Sequence, residues 1–305
     1  MWTPIKFSKM NKPLHRLVTI SLLLILVSYS SAETLSLQSG NLILTSDKGD
    51  SQLLQSAIQL IQKEEQYFQA VFGLSLDKPL HIWFYYNPDA VGTRLHAVPY
   101  WSGGIARSGS EIHIFGRNRN QWLFTLKHEL FHSLLGQNDV DLPVWLNEGL
   151  AQWYAGQQDW GGFMELGTST ARGRLIPLVD LDVILSFNHK RASLAYAQSL
   201  DATRFLLKRQ GESILPYLLR KGDLGFRDRF KAETGEDLID FEIAWRESLE
   251  ARFWFFKIST IPGVLWALSP LIVILAWFLK RQRGKKKLEE WENEERPPEE
   301  PKYFA

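Results

Sequence analysis

The residues best suited to chemistry in this 305-residue chain are His128, Glu129 and His132. On a helix, residues four apart project from the same face, so both imidazoles can bind one metal ion. Imidazole ligands suit zinc, which needs no redox support. Glu129 is rotated by about 100° from its neighbour, so it can take a proton from a metal-activated water without being a ligand. The segment therefore predicts a hydrolytic zinc site with Glu129 as the general base.

A third metal ligand is available on a second predicted helix. A catalytic zinc ion takes three protein ligands and keeps one open position. Glu148 follows His132 by sixteen residues, on a helix that is predicted to begin near Pro143. Because the link 137–142 is short, the two helices can pack side by side and bring Glu148 back to the histidine face. We therefore predict that Zn²⁺ is the cofactor and that His128, His132 and Glu148 bind it.

Hydrophobic spacing predicts the elements that hold these residues. Apolar residues recur at helical spacing from about Asn120 to Leu135, so both histidines lie on a well-patterned helix. A helical pattern also covers about 51–72, and strand patterns cover 42–45, 80–86, 104–107 and 111–115. The segment 156–177 is rich in Gly and Trp and is predicted to be a loop. The remainder to Arg252 is predominantly helical, and this order predicts an α+β fold.

The start of the chain resembles a targeting segment. Residues 1–16 contain four cations and no acid, and an uncharged, mostly apolar run from Leu17 to Val27 follows. Small residues at Ser30, Ser31 and Ala32 suit cleavage after Ala32. The pattern predicts a signal peptide over 1–32, with an uncleaved signal anchor as the alternative.

The other end of the chain has the pattern of a membrane anchor. Residues 258–279 carry no charge, and six cations lie within 280–287. An uncharged run of this length can cross a hydrocarbon core of about 30 Å, and the basic cluster after it indicates a cytoplasmic end. The expected organisation is an extracytoplasmic domain over 33–252, periplasmic or at the cell surface, a transmembrane helix over 253–279 and a cytoplasmic basic and acidic tail over 280–305.

Composition excludes several kinds of site and partner. The chain has no cysteine, so it has no disulfide, no thiolate zinc site and no cysteine nucleophile. Its net charge of +1 provides no basic field for nucleic acid.

The two site helices resemble a known family. The segments LKHELFHSLL and LPVWLNEGLAQWYAG are similar to gluzincin metallopeptidases, above all to the bacterial, membrane-anchored peptidase-MA-like domains. In those domains a W-x-x-E-G-x-A helix supplies the glutamate ligand, and Trp145, Glu148, Gly149 and Ala151 match that pattern. The resemblance covers about 80–250 and is strongest at the two helices.

The resemblance implies a zincin-like peptidase domain with a small mixed sheet, an active-site helix and a helical C-terminal part. It implies the ligand roles of His128, His132 and Glu148, and the base role of Glu129. It also suggests Tyr196 as a donor that stabilises the oxyanion, with ordinary packing of this tyrosine on an amphipathic helix as the alternative. Trp145 is expected to pack behind the glutamate helix. His189, beside Lys190 and Arg191, is expected in a solvated loop.

The sequence as a whole predicts a membrane-anchored zinc metallopeptidase that cleaves protein or peptide substrates outside the cytoplasm. The strand at 104–107 is predicted to bind an extended peptide by main-chain pairing, with Gly103 and Gly104 allowing close approach; a plain hairpin is the alternative. One other function is a zinc-binding, non-catalytic scaffold or chaperone-like membrane protein. Another is a zinc hydrolase that acts on non-peptide envelope material, because fold and metal do not determine the substrate.

Overall fold

The structure is a computed structural model that describes residues 34–86, 103–107, 109–116, 119–157, 160–186, 189–221, 224–259 and 262–294. The predicted signal peptide lies outside these residues. Within them the chain is a mixed α+β protein, mostly helical, with one small sheet. The predicted α+β class is confirmed.

The sheet has five strands in the order β1-β2-β3-β5-β4. The strands are β1 (Leu35–Ser39), β2 (Leu42–Ser46), β3 (Leu80–Tyr85), β4 (Gly104–Arg107) and β5 (Glu111–Phe115). The pairs β1–β2 and β4–β5 are antiparallel, whereas β3 runs parallel to both β2 and β5. Strand β1 was not predicted from the sequence; it lies at one edge of the sheet, and its residues alternate between half-buried and exposed. The predicted hairpin is β4–β5, and β4 forms the other edge.

Three helices pack against this sheet or against one another around the site. They are α1 (Ser51–Tyr67), α2 (Arg119–Gln137) and α3 (Val144–Ala155). Asp50 caps α1, which continues as one π-helical turn over Phe68–Phe72. Leu126, Leu130 and Leu134 on α2 are fully buried in the core, which leaves the opposite face of α2 for polar residues.

The segment predicted as a loop contains a helix, so that prediction is wrong. The helix, α4 (Trp160–Ala171), buries Leu166 and Thr170. A Cβ at Gly167 would lie 2.9 Å from the Phe253 ring and 2.8 Å from the Phe256 ring. Glycine has low helix propensity, but Gly167 allows close packing that the local sequence does not reveal.

The remaining helices form the C-terminal half. They are α5 (His189–Gln210), α6 (Leu215–Leu218), α7 (Phe226–Thr234), α8 (Leu238–Arg252), α9 (Trp254–Ser259) and α10 (Pro262–Glu294). Helix α10 continues through the basic cluster, so the predicted tail is helical as far as Glu294. Within the described ranges, no helix combines the length and the apolar character that crossing a membrane requires. The transmembrane helix therefore stays a prediction.

Candidate active site

Helices α2 and α3 bring three potential metal ligands together. The Nε2 atoms of His128 and His132 lie 3.1 Å apart on α2. Glu148 on α3 places its Oε2 atom 3.4 Å from the first of these nitrogens and 3.6 Å from the second. One ligand atom from each residue lies within 4.8 Å of the other two, so the three could hold a metal ion.

Helix α3 is held against α2 by a short connecting segment and by the packing of its buried side chains. The chain reverses over 138–143, where Asp139 takes a left-handed backbone conformation with φ 52° and Pro143 precedes the first turn of α3. Behind the glutamate, Trp145 is fully buried and stacks on Phe241 with ring centroids 5.5 Å apart. The expected packing of Trp145 is confirmed, and it restricts how far Glu148 can move.

The electrostatics of the three residues fit a divalent cation. Within the described part of the chain, the buried Oε2 atom of Glu148 has no hydrogen-bond partner of good geometry. Burial would lower the pKa of His132, but Glu148, together with Glu129 and Asn147, outweighs burial and raises that pKa to about 9. Burial would likewise raise the pKa of Glu148, but His132 and His128 hold it well below its usual range. The site thus favours positive charge, and two imidazoles with one carboxylate are a donor set that zinc accepts.

Glu129 lies beside this group but faces the edge strand. It is 6% exposed, and burial raises its pKa, against the opposing effect of the two histidines. The backbone N–H of Ala106 on β4 donates to its carboxylate. A buried carboxylate with a raised pKa, next to a candidate metal site, has the properties of a general base.

Gly104 allows β4 to approach the active-site helix. A Cβ there would lie 2.8 Å from Thr125 Cγ2 and 2.9 Å from Glu129 Cγ. Gly104 therefore allows a close approach between β4 and α2, whereas the sequence predicted a close approach between this glycine and the substrate backbone. The backbone N–H of Phe115 on β5 donates to the carbonyl oxygen of Gly103. Hydrogen-bonded and non-hydrogen-bonded residue pairs alternate along an antiparallel ladder, so the main-chain groups of Gly104 and Ala106 point away from β5. Main-chain pairing with a substrate at this edge stays a hypothesis.

The family comparison agrees with this geometry. The family model described as the peptidase MA superfamily matches residues 62–251. The chain belongs to the peptidase MA superfamily. The resemblance inferred from the sequence is thus confirmed. No curated protein matches the chain. The match includes α2, α3 and α5, and so every candidate site residue of this peptidase MA domain.

The cleft of the peptidase MA domain has a volume of about 530 Å³ and is closed on one side by α5. Tyr196, Ser193 and His189 line it from one face of that helix. Tyr196 is half-buried, and its pKa is raised by burial and then by Glu148 and Glu129, so it lies near both carboxylates. His189 is exposed, as expected, but it is the first residue of α5 and borders the cleft, so the expected loop is wrong.

A residue that was not predicted from the sequence contacts one of the candidate histidine ligands. Asn147 Oδ1 lies 2.8 Å from His132 Nδ1. If Nδ1–H donates to this oxygen, the Nε2 lone pair is left facing the other two candidate ligands. The sequence contained a signal for this contact, because Asn147 directly precedes Glu148 and so lies on the same turn of α3 as that candidate ligand.

Replacement of Asn147 by alanine is expected to weaken Zn²⁺ binding by about 10- to 100-fold, because the ring of His132 loses the contact that sets its tautomer and orientation. Competition with a chelating dye measures the affinity. Asn147→Asp keeps an acceptor oxygen and is the matched control, for which we expect an affinity near that of the wild type. Equal affinity of Asn147→Ala and the wild type would show that packing alone orients His132.

Proposed function

We propose that the peptidase MA domain is a zinc-dependent metallopeptidase that hydrolyses peptide bonds. The observation that carries this proposal is the convergence of His128, His132 and Glu148 in a cleft beside the buried carboxylate of Glu129. Family membership supports a metallopeptidase-like domain, and the donor set favours zinc among divalent metals. The cleft runs along an edge strand, which suits an extended peptide.

The side chains divide the chemistry between them. His128, His132 and Glu148 would hold zinc, which as a Lewis acid lowers the pKa of water and polarises a carbonyl group. Glu129 accepts the proton of the attacking water and returns it to the leaving amine. The Ala106 N–H keeps that carboxylate aimed into the cleft, and its raised pKa makes it a stronger base toward the attacking water than an exposed glutamate.

Metal removal tests the proposal. Dialysis against a zinc chelator is expected to reduce cleavage of an unstructured protein substrate by on the order of 100-fold or more. Zn²⁺ should restore the activity, whereas Mg²⁺ should not, because imidazole ligands suit zinc and magnesium prefers oxygen. Elemental analysis checks that the metal is gone. Undiminished cleavage by protein shown to be metal-free would refute a metallopeptidase.

We propose Tyr196 as the donor that stabilises the oxyanion. Its replacement by phenylalanine is expected to lower kcat by about 100-fold, because a donor aimed at developing charge is lost while the ring is kept. Zinc affinity should not change, since the hydroxyl is not a ligand in this proposal. Tyr217→Phe, on the exposed side of α6, is the matched control. A kcat equal to that of the wild type would leave Tyr196 with only its packing role.

We also propose that the domain lies outside the cytoplasm and is anchored by the C-terminal segment. Support comes from the uncharged run 258–279 and from the cations of 280–287. The large apolar side chains described within 271–279 are all exposed on α10, and a bilayer would cover them on every side. Carbonate extraction tests the anchoring, and protease shaving of spheroplasts, which exposes periplasmic and surface domains alike, tests the side. Release into the soluble fraction would contradict the first, and full protection from shaving the second.

A further inference from the structure

A second cavity adjoins the catalytic cleft across the first turn of α5. Its volume is about 470 Å³, and it lies between the end of α4 and the start of α5. Its charged lining consists of Arg174, Lys190, Arg191 and Glu165. We call this cavity the basic pocket, because three cations face one carboxylate.

The charges of the basic pocket are only partly neutralised. Arg174 and Lys190 are exposed, and neither makes an ion pair with any acid in the described part of the chain. The carboxylate of Glu165 is already engaged by the hydroxyl of Ser193, which donates to it at 2.6 Å. The positive end of the α5 dipole, at His189, adds to the same field. The pocket therefore attracts anions.

The side chains of Ser193 and Glu165 lie between the two cavities. Ser193 lines the catalytic cleft, and the carboxylate that it contacts lines the basic pocket. Lys190 precedes Tyr196 by six residues, which places it about 9 Å along the helix axis and about 120° around that axis. A peptide with its reacting bond near Tyr196 would reach the basic pocket by passing around the first turn of α5, which takes about three to five extended residues.

We infer that the basic pocket binds a carboxylate of the substrate, about three to five residues from the bond that is cleaved. The carboxylate is an acidic side chain or the C-terminus of the peptide, so the preferred substrates are acidic peptides. The inference rests on the proposed function, because it assumes that the cleft holds a peptide.

The position of the pocket favours a peptide over an anionic membrane surface. Glu165 and Ser169 lie about 160° around α4 from Gly167. Gly167 is on the face that packs against Phe253 and Phe256, next to the C-terminal helices. The basic pocket and the proposed anchor are therefore on opposite sides of α4, whereas the pocket and the catalytic cleft share a wall.

Peptide binding to the full chain carrying Glu129→Gln tests the inference without turnover. The probes are fluorescent peptides of identical length with Glu or Gln at the third, fourth or fifth residue on either side of a central bond, each with a free or an amidated C-terminus. We expect the anisotropy titration to show about tenfold tighter binding of an acidic peptide, with a difference that shrinks as salt rises. Comparison of the peptides with free and amidated C-termini distinguishes binding of an acidic side chain from binding of the terminal carboxylate.

Charge reversal locates the effect. Each of the substitutions Lys190→Glu and Arg174→Glu is expected to lower the affinity for the acidic peptide about tenfold. The affinity for the neutral peptide should stay within about twofold of the wild-type value. Lys208→Glu, exposed on the last turn of the same helix, is the matched control and should change neither. Because all three positions are exposed, we expect unchanged thermal unfolding, which checks that the variants are folded.

The outcomes separate this inference from the proposed function. If wild-type protein cleaves acidic and neutral peptides equally and charge reversal changes nothing, the inference is wrong and the peptidase stands. If charge reversal weakens binding of the acidic peptide but zinc-loaded protein cleaves no peptide, the inference about the basic pocket is upheld and the proposed peptidase function is wrong. If the reversals release the protein only from vesicles that contain phosphatidylglycerol and leave peptide binding unchanged, the pocket binds lipid and the inference is overturned.

Discussion

Replacement of Glu129 by glutamine is expected to lower kcat by about three orders of magnitude while zinc stays bound. Glutamine keeps the size of the side chain and an oxygen that can accept the Ala106 N–H. It cannot take up a proton, however, and at 6% exposure the site leaves little room for a solvent base to replace it. Because Glu129 is not one of the three converging ligands, its loss should not reduce metal affinity.

Two measurements on the same preparation decide the outcome. Zinc content by elemental analysis should stay near that of the wild type, and single-turnover cleavage should slow. Glu247→Gln, a change of the same kind at an exposed position of α8, controls for the loss of one negative charge. Undiminished cleavage by Glu129→Gln would exclude Glu129 as the base. Zinc binding without cleavage, in wild type and variant alike, would favour the non-catalytic scaffold.

The local sequence pattern was sufficient to predict the three residues that converge as candidate metal ligands. The spacing of His128 and His132 needs only helical geometry, and Glu148 needs only a short link between two helices. Those inferences involve residues at most twenty positions apart, so a single helical hairpin determines the arrangement. The hairpin β4–β5 was predictable for the same reason, with strand bounds that agree with the structure.

Two features that were not predicted from the sequence, α4 and the position of His189, depend on distant contacts. Helix α4 was taken for a loop because its glycines have low helix propensity, and its stability comes from packing against Phe253 and Phe256. His189 was placed in a loop because its charged neighbours suggested solvent. Its position on the cleft follows from how α5 packs on α3, which no local pattern shows.

The contact between α3 and α5 connects the two halves of the cleft. The amide of Gln152 donates both to the Glu148 carbonyl, at 3.1 Å, and to the Tyr196 carbonyl, also at 3.1 Å. The helices can come this close because Gly149 faces the backbone of α5 at Ser199. The glycine after Glu148 therefore sets the distance between the candidate metal ligands on α2 and α3 and Tyr196 on α5.

Replacement of Gly149 by alanine is expected to lower the free energy of unfolding by about 3 kcal/mol, or the thermal midpoint by roughly 10 °C. The added Cβ would overlap the Ser199 carbonyl oxygen and Thr203 Oγ1, and would lie 2.8 Å from the Ser199 carbonyl carbon. Because backbone atoms cannot rotate away, α5 must shift as a body, and Tyr196 with it. Hydrolysis below the midpoint should therefore slow as well, with zinc affinity less affected than kcat.

Gly225 provides the matched control for this substitution. It has φ −60°, and no atom lies within 4 Å of a Cβ built there, so Gly225→Ala should change stability by no more than about 0.5 kcal/mol. Thermal and urea unfolding measure both variants. A Gly149→Ala protein as stable as the control would show that α3 and α5 can separate without cost. In that case the spacing of Glu148 and Tyr196 would have to be set by contacts other than this glycine.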